Sequence, residues 1–366
     1  MTIAFYISGH GFGHASRQVE VINAIAAARP DVRFVLRTAV SADLLARTLR
    51  APYELRAAPC DSGIAQRSSV EHDEARTVEE ALAFHRDWPA RIRREAAALA
   101  PDGLSVIVGD VPPLAFEVAR ALGVPSVAIA NFTWDWIYET CPGFERAAEV
   151  LALIRAGYRC ASMALRLPLS AGFEHLADVR PIPFIARQPE HARADTRAHF
   201  GIDPGRPAVL LSFGGYGLPS VDLGRVDCLG DWTIVTTDRV SGAVTTAPGR
   251  LVCIDEQAFA ASSFRYEDLV ASVDVVLTKP GYGIIADCIA AGVAMLYTSR
   301  GSFREYDLLV AALPRYLRSR FISQADLFAG RWRAALEALL GEPPPPERPP
   351  TDGARISAAA VLDRAG

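Results

Sequence analysis

Short apolar runs alternate with longer stretches of helical periodicity along the chain, the pattern of βα units folded around a mostly parallel sheet. In the first half, apolar runs predict strands at 3–8, 32–37, 105–109 and 125–130, and helical patterns follow at 16–28, 41–49, 75–99, 113–122 and 143–164. The stretch Val179-Arg180-Pro181-Ile182-Pro183-Phe184 breaks this rhythm, and together with Pro189 it forbids a continuous helix. A linker is therefore expected at about 180–192. A second series follows, with strands at 208–213, 232–236, 251–254, 274–278 and 294–298 and helices at 264–272, 282–291, 303–313 and 324–340. Pro343 to Pro346, Pro349 and Pro350 predict an extended tether, and 353–365 a last helix long enough to pack back on the first domain. At 366 residues the chain is too long for one ordinary core. The expected organisation is α/β, with one Rossmann-like domain over 1–182, a second over 193–342, and the tether with its helix over 343–366.

Both series open with an apolar strand that feeds a glycine-rich turn. The first turn reads Gly9-His10-Gly11-Phe12-Gly13-His14-Ala15-Ser16-Arg17 and the second Ser212-Phe213-Gly214-Gly215-Tyr216-Gly217. Glycine admits positive φ and close approach of the backbone to a ligand, and the free N–H groups opening the next helix suit an anion. His10 and His14 are two of the seven histidines, so the first turn offers an anion cradle and a candidate base together. Taken alone, such a turn is only a tight βα connection. Two domains of this kind facing each other create a cleft at the carboxyl ends of both sheets, where open α/β sheets bind ligands.

Further candidates fall at the same strand ends. Asp110 closes the strand at 105–109, as a partner for a loop histidine or as a cap on the helix that begins at the following prolines. The run Asn131-Phe132-Thr133-Trp134-Asp135-Trp136-Ile137-Tyr138 is either a wall against a sugar or acceptor, or part of a core. Lys279-Pro280-Gly281-Tyr282-Gly283 places glycines at a helix N-terminus, where they cradle a diphosphate, and Asp287 lies about one turn farther on, within reach of a ribose. Glu305 and Asp307 are candidates for sugar hydroxyls, or solvated helix residues.

Composition narrows the chemistry. A net charge of −4 gives no general attraction to nucleic acid or anionic lipid, so any phosphate site must be local. Lys279 is the only lysine among 38 basic residues, and it falls inside the second glycine motif. The six cysteines have no CxxC spacing, which argues against a zinc site and a disulfide framework. Without a basic leader or a long uncharged apolar stretch, a soluble, cytoplasmic protein is expected. The first turn lacks G-x-G-x-x-G, the second strand ends Leu36-Arg37-Thr38 with no ribose carboxylate, and no P-loop occurs, which disfavours dinucleotide and P-loop enzymes. No D-x-D occurs either, so a bound diphosphate has to be held by backbone N–H groups and arginine, with no metal and no organic cofactor expected.

Gly9 to Arg17, Gly109-Asp110-Val111-Pro112, Asn131 to Asp135, Phe213-Gly214-Gly215 and Lys279 to Gly283 together resemble the GT-B class of nucleotide-sugar glycosyltransferases. Most specifically they resemble the glycosyltransferase-like N-terminal region of plant-type L-arabinokinases and their free-standing bacterial relatives, without the kinase half. The resemblance implies the GT-B architecture, two Rossmann-like domains facing across a cleft. It implies a metal-independent hexosyl- or pentosyltransferase that moves a sugar from a nucleoside diphosphate donor, expected to be a UDP-sugar, to an acceptor hydroxyl. His14 falls on the catalytic-base position and Asp110 on that of its carboxylate partner. Gly11, Gly13, Arg17, Gly214, Gly215, Lys279, Gly281, Tyr282, Gly283, Asp287 and Glu305 are the expected donor-binding residues, with Arg17 and Lys279 neutralising the leaving diphosphate. Asp287 stands where these enzymes carry a glutamate, and Glu305 lies near the donor-sugar motif without its usual glutamine. A GT-B nucleotide-sugar epimerase and a non-catalytic sugar-nucleotide sensor are the alternative readings.

Overall fold

The computed structural model describes residues 1–67, 71–214, 221–237, 250–255, 259, 261–301 and 303–366. The chain divides into two units, Met1–Gln66 with His72–Ala186 and Pro350–Gly366, and Arg67–Glu71 with Arg187–Pro349. In the first, the described strands are β1 (Thr2–Ile7), β2 (Arg33–Thr38), β3 (Tyr53–Ala57), β4 (Val106–Asp110), β5 (Ser126–Ala130), β6 (Met163–Arg166) and β7 (Val179–Pro181). They form one parallel sheet in the order β3-β2-β1-β4-β5-β6-β7. The second unit adds β8 (Ala208–Ser212), β9 (Thr233–Thr236), β10 (Leu251–Cys253), β11 (Val275–Thr278), β12 (Ala294–Tyr297) and β13 (Ser319–Phe321). Its sheet is parallel too, in the order β10-β9-β8-β11-β12-β13. The protein is thus α/β, with both sheets reversing direction of growth between their first and fourth strands.

The central strands β4 and β5 are buried along their whole length, as parallel strands covered on both faces must be. Their side chains join Ile3, Phe5 and Ile7 of β1 and Val19, Ile22 and Ile25 of the helix Phe12–Ala28 in one apolar core. The last helix, Gly353–Ala365, contributes Ala358 and Val361 to that same core and packs on Phe12–Ala28. Among the described residues, no helix is long and apolar enough to cross a membrane.

Several elements differ from the sequence pattern for physical reasons. The helix expected at 143–164 ends at Tyr158, and Met163–Arg166 continues as a buried strand; so short an apolar run has no periodicity to tell the two apart. β3 and β7 are edge strands, one carrying Glu54 and Arg56 and the other Pro181, and edges are where charge and proline are tolerated in sheets. The expected helix at 75–99 is two, Glu74–His85 and Trp88–Leu99, the second with Pro89 in its first turn. The one expected at 324–340 is also two, Gln324–Phe328 and Arg333–Leu340.

Candidate active site

In open α/β sheets a ligand crevice forms at the carboxyl ends of the strands where the order reverses. In the first unit that point lies between β1 and β4, whose last residues Ile7 and Asp110 are register partners. The chain leaves β1 through Ser8, whose N–H donates to the Asp110 carbonyl at 2.8 Å, and enters the helix Phe12–Ala28 from Gly11 at φ 69°. That helix begins four residues earlier than its periodicity predicts, so Gly13 and His14 belong to its first turn and not to the loop. His14, Arg17 and Gln18 are consequently spaced i, i+3, i+4 and share one helix face.

All three converge on Asp110, which is fully buried. Its Oδ1 accepts from His14 Nδ1 at 2.8 Å and Arg17 Nη2 at 2.8 Å, and its Oδ2 from Arg17 Nε at 2.7 Å and Gln18 Nε2 at 2.8 Å. Burial alone raises a carboxyl pKa, but the charges of Arg17 and His14 outweigh it and lower that of Asp110 to about 2. An ionised Asp110 requires the proton on Nδ1, which leaves the lone pair on His14 Nε2. Among the described residues Nε2 has no hydrogen-bond partner.

Arg17 takes a different place from the one expected. Its guanidinium grips Asp110 with two N–H groups, a third donates to Asn131 Oδ1, and the side chain is only 7% exposed. Its N–H groups are thus engaged with the carboxylate that also binds His14. The aromatic run is turned inward as well. Phe132, Trp134 and Tyr138 are buried, with Trp134 stacked on Tyr138 and Tyr138 on Phe144. His10 is held by Ile64, its Nε2 at the backbone of that residue, and its ring packs edge-on against Trp134.

In the second unit the order reverses between β8 and β11, where Ser212 and Thr278 are register partners. Gly214 has φ 71°, whereas Gly215 lies outside the described residues. Beyond β11, Gly281 is the N-cap of the helix Tyr282–Ala291 and supplies no side-chain cap, so the first-turn N–H groups are not capped from within. Lys279 precedes this turn, its pKa lowered to about 8 by burial and by the neighbouring charge of Arg300. The hydroxyl of Thr298 and the Nε of Arg300 are buried here without a hydrogen-bond partner among the described residues. Glu305 is buried in the first turn of the helix Arg304–Tyr316, and Asp307 is exposed.

Asp287 departs from expectation. It is 3% exposed and accepts the backbone N–H of Arg187 on Oδ1 at 3.1 Å and the Arg187 guanidinium on Oδ2, through Nε at 3.1 Å and through Nη2. Glu267 lies 3.8 Å from the same guanidinium. Burial opposes the Arg187 charge, but Asp287 and Glu267 hold it ionised, and burial pushes the Glu267 carboxyl upward. Asp287 therefore anchors the chain where it enters the second unit, and both of its oxygens are engaged without a ribose. Asp287→Ala is expected to destabilise that unit by about 3 kcal/mol, read as a lowered thermal midpoint, because it strands the Arg187 cation. A residue serving only a ribose would weaken nucleotide binding and leave the midpoint unchanged. Among the described residues, no group of three or more His, Cys, Asp and Glu side chains is placed to hold a metal ion.

No family model matches the sequence. Over 362 residues it is 27% identical to L-arabinokinase of Arabidopsis thaliana, covering 94% of this chain and 32% of that protein. The chain thus spans about a third of the length of that curated relative. The solved glycosyltransferase of kitacinnamycin superposes on it with a TM-score of 0.64 at 18% identity, covering 100% of this chain and 99% of that one. UGT2 of Phytolacca americana, complexed with UDP-2fluoro-glucose and pterostilbene, gives 0.59 at 15%, covering 100% and 94%. SnogD from Streptomyces nogalater, also a glycosyltransferase, gives 0.56 at 16%, covering 100% and 99%. The chain has the GT-B glycosyltransferase fold. On that fold, the sequence motifs place His14 and Asp110 together at one reversal point and Lys279 to Gly283 at the other. The residues that sequence reasoning overlooked are Gln18, Arg187, Arg300 and the half-buried Asp61. Gln18 was within reach, since it follows His14 by four, but Arg187 sits in a proline-broken stretch with no pattern to mark it.

Proposed function

We propose that this protein is a metal-independent glycosyltransferase that moves a sugar from a nucleoside diphosphate donor, in the first instance a UDP-sugar, to an acceptor hydroxyl. The observation that carries the proposal is the buried His14–Asp110 contact at 2.8 Å, which supports a tautomer with the proton on Nδ1 and Nε2 as the proton acceptor. In the proposed reaction Nε2 removes the acceptor proton as the hydroxyl oxygen attacks the anomeric carbon. The first-turn N–H groups of the helix Tyr282–Ala291, with Lys279 and Arg300, meet the charge that grows on the departing diphosphate. The lack of any D-x-D supports a reaction without a bridging divalent ion.

Calorimetric titration with UDP between pH 6.5 and 9, with and without EDTA, tests this. Binding is expected to be unchanged by EDTA and to weaken as pH rises through about 8, where Lys279 loses its charge. In Lys279→Arg the affinity is expected to persist to pH 9, because guanidinium stays protonated there. Absence of UDP binding sinks the proposal, and binding without sugar transfer to any acceptor points to a sensor.

A further inference from the structure

The neighbourhood of His14 holds a second carboxylate, Asp61, in circumstances opposite to those of Asp110. Asp110 has four donors, three of them on cationic or imidazole side chains, and is sealed from solvent. Asp61 is half-buried, and its partners among the described residues are the neutral Trp134 Nε1, at 2.8 Å on Oδ2, and the Ser8 hydroxyl. Among the described residues no arginine, lysine or histidine makes an ion pair with it. A carboxylate accepts about four hydrogen bonds, so two of its positions have no donor among the described residues. Burial raises its pKa, opposed by the charges of His10 and His14, both of which are near enough to act on it.

Trp134 ties Asp61 to the candidate base. Its indole nitrogen bonds the carboxylate, while its ring centroid lies 6.3 Å from that of His14 and 5.8 Å from that of His10. Two residues beyond Asp61, His10 packs over Gly63, where an added Cβ would collide with the imidazole, and Tyr138 donates to the Gly63 carbonyl at 2.7 Å. Phe132, Trp134 and Tyr138 are buried against one another, whereas Phe12, in the helix turn that carries His14, is exposed.

We propose that Asp61 reads the acceptor, and that the acceptor is a polyhydroxylated molecule with adjacent hydroxyls, one placed at His14 Nε2 and its neighbour donating to Asp61. This rests on the reading of His14 as the base of a glycosyl transfer. The second hydroxyl makes a charge-assisted hydrogen bond that a phenol or a simple alcohol does not supply. Asp61 then sets specificity and takes no proton in the reaction.

Saturation-transfer NMR on the full chain, without nucleotide, compares two pairs of probes that differ in hydroxyl number: myo-inositol with cyclohexanol, and glycerol with propan-1-ol. The polyol of each pair is expected to bind the more tightly. Asp61→Asn is expected to weaken myo-inositol by about tenfold or more while leaving cyclohexanol unchanged. Asp61→Glu, which keeps the charge, is expected to retain part of the preference. The wild-type preference for the polyol needs no variant, so a folding defect in Asp61→Asn does not shield the proposal. Equal binding within each pair, no binding by either polyol, or a polyol preference that survives in a folded Asp61→Asn overturns it. UDP is left out, so failure of the donor site in calorimetry and failure of the acceptor site here are scored separately.

Discussion

His14→Ala is expected to lower turnover by roughly 10²-fold or more with UDP affinity unchanged, the size of effect typical of a positioned general base. Nδ1 donates to Asp110 at 2.8 Å, so the ring has one tautomer and one nitrogen with which to accept a proton. Truncation removes that acceptor and leaves the turn Lys279 to Gly283 of the second unit untouched. Added imidazole should restore part of the rate, which a merely structural histidine would not allow. His10→Ala is expected to have a smaller effect, since the His10 Nε2 is engaged at the Ile64 backbone. Equal losses in the two variants, with folding intact, would remove the assignment of His14 as base.

Asp110→Ala is expected to cost the most stability of any single change at the site, about 3 to 5 kcal/mol, because Arg17 would keep a buried charge with no carboxylate to meet it. Asp110→Asn keeps the volume, but its amide presents N–H groups where His14, Arg17 and Gln18 already donate. The pH dependence has a definite sign. The folded carboxyl lies at about 2, below the ordinary value of 3.8, so its contribution is fully present above about pH 4 and is lost as pH falls through 2. The difference is worth on the order of 2 kcal/mol. Denaturant unfolding of wild type and Asp110→Asn should therefore diverge at pH 7 and converge towards pH 2. A gap that stays constant across that range would mean that ionisation of Asp110 adds nothing to the fold.

Much of this architecture was legible in the sequence. β1, β4, β5, β8 and β11 are apolar runs bounded by glycine or proline, and buried parallel strands leave that signature. β3 was hidden because it alternates charge with half-buried apolar residues, and the inner strand β6 because it reads equally well as the last turn of a helix. At the site, the residue types were visible and their partners were not. Asp287 and Arg17 each follow a glycine turn, where a bound anion or its ribose is the natural inference. Both instead close internal ion pairs with residues a hundred or so positions away, Arg187 and Asp110, and no local pattern encodes such a distance. Asp61 escaped notice for the same reason, since its link to the site runs through Trp134.

The last helix has a consequence for the order in which the protein is made. Ala358 and Val361 complete the core built on β1, β2 and the helix Phe12–Ala28, yet the whole second unit is synthesised between them. At ribosomal speed the first unit waits many seconds for its closing segment, with the part of Phe12–Ala28 that Gly353–Ala365 covers exposed meanwhile. The second unit, drawn from one nearly continuous stretch, has no such delay. The first unit thus completes its core only after the second unit has been made.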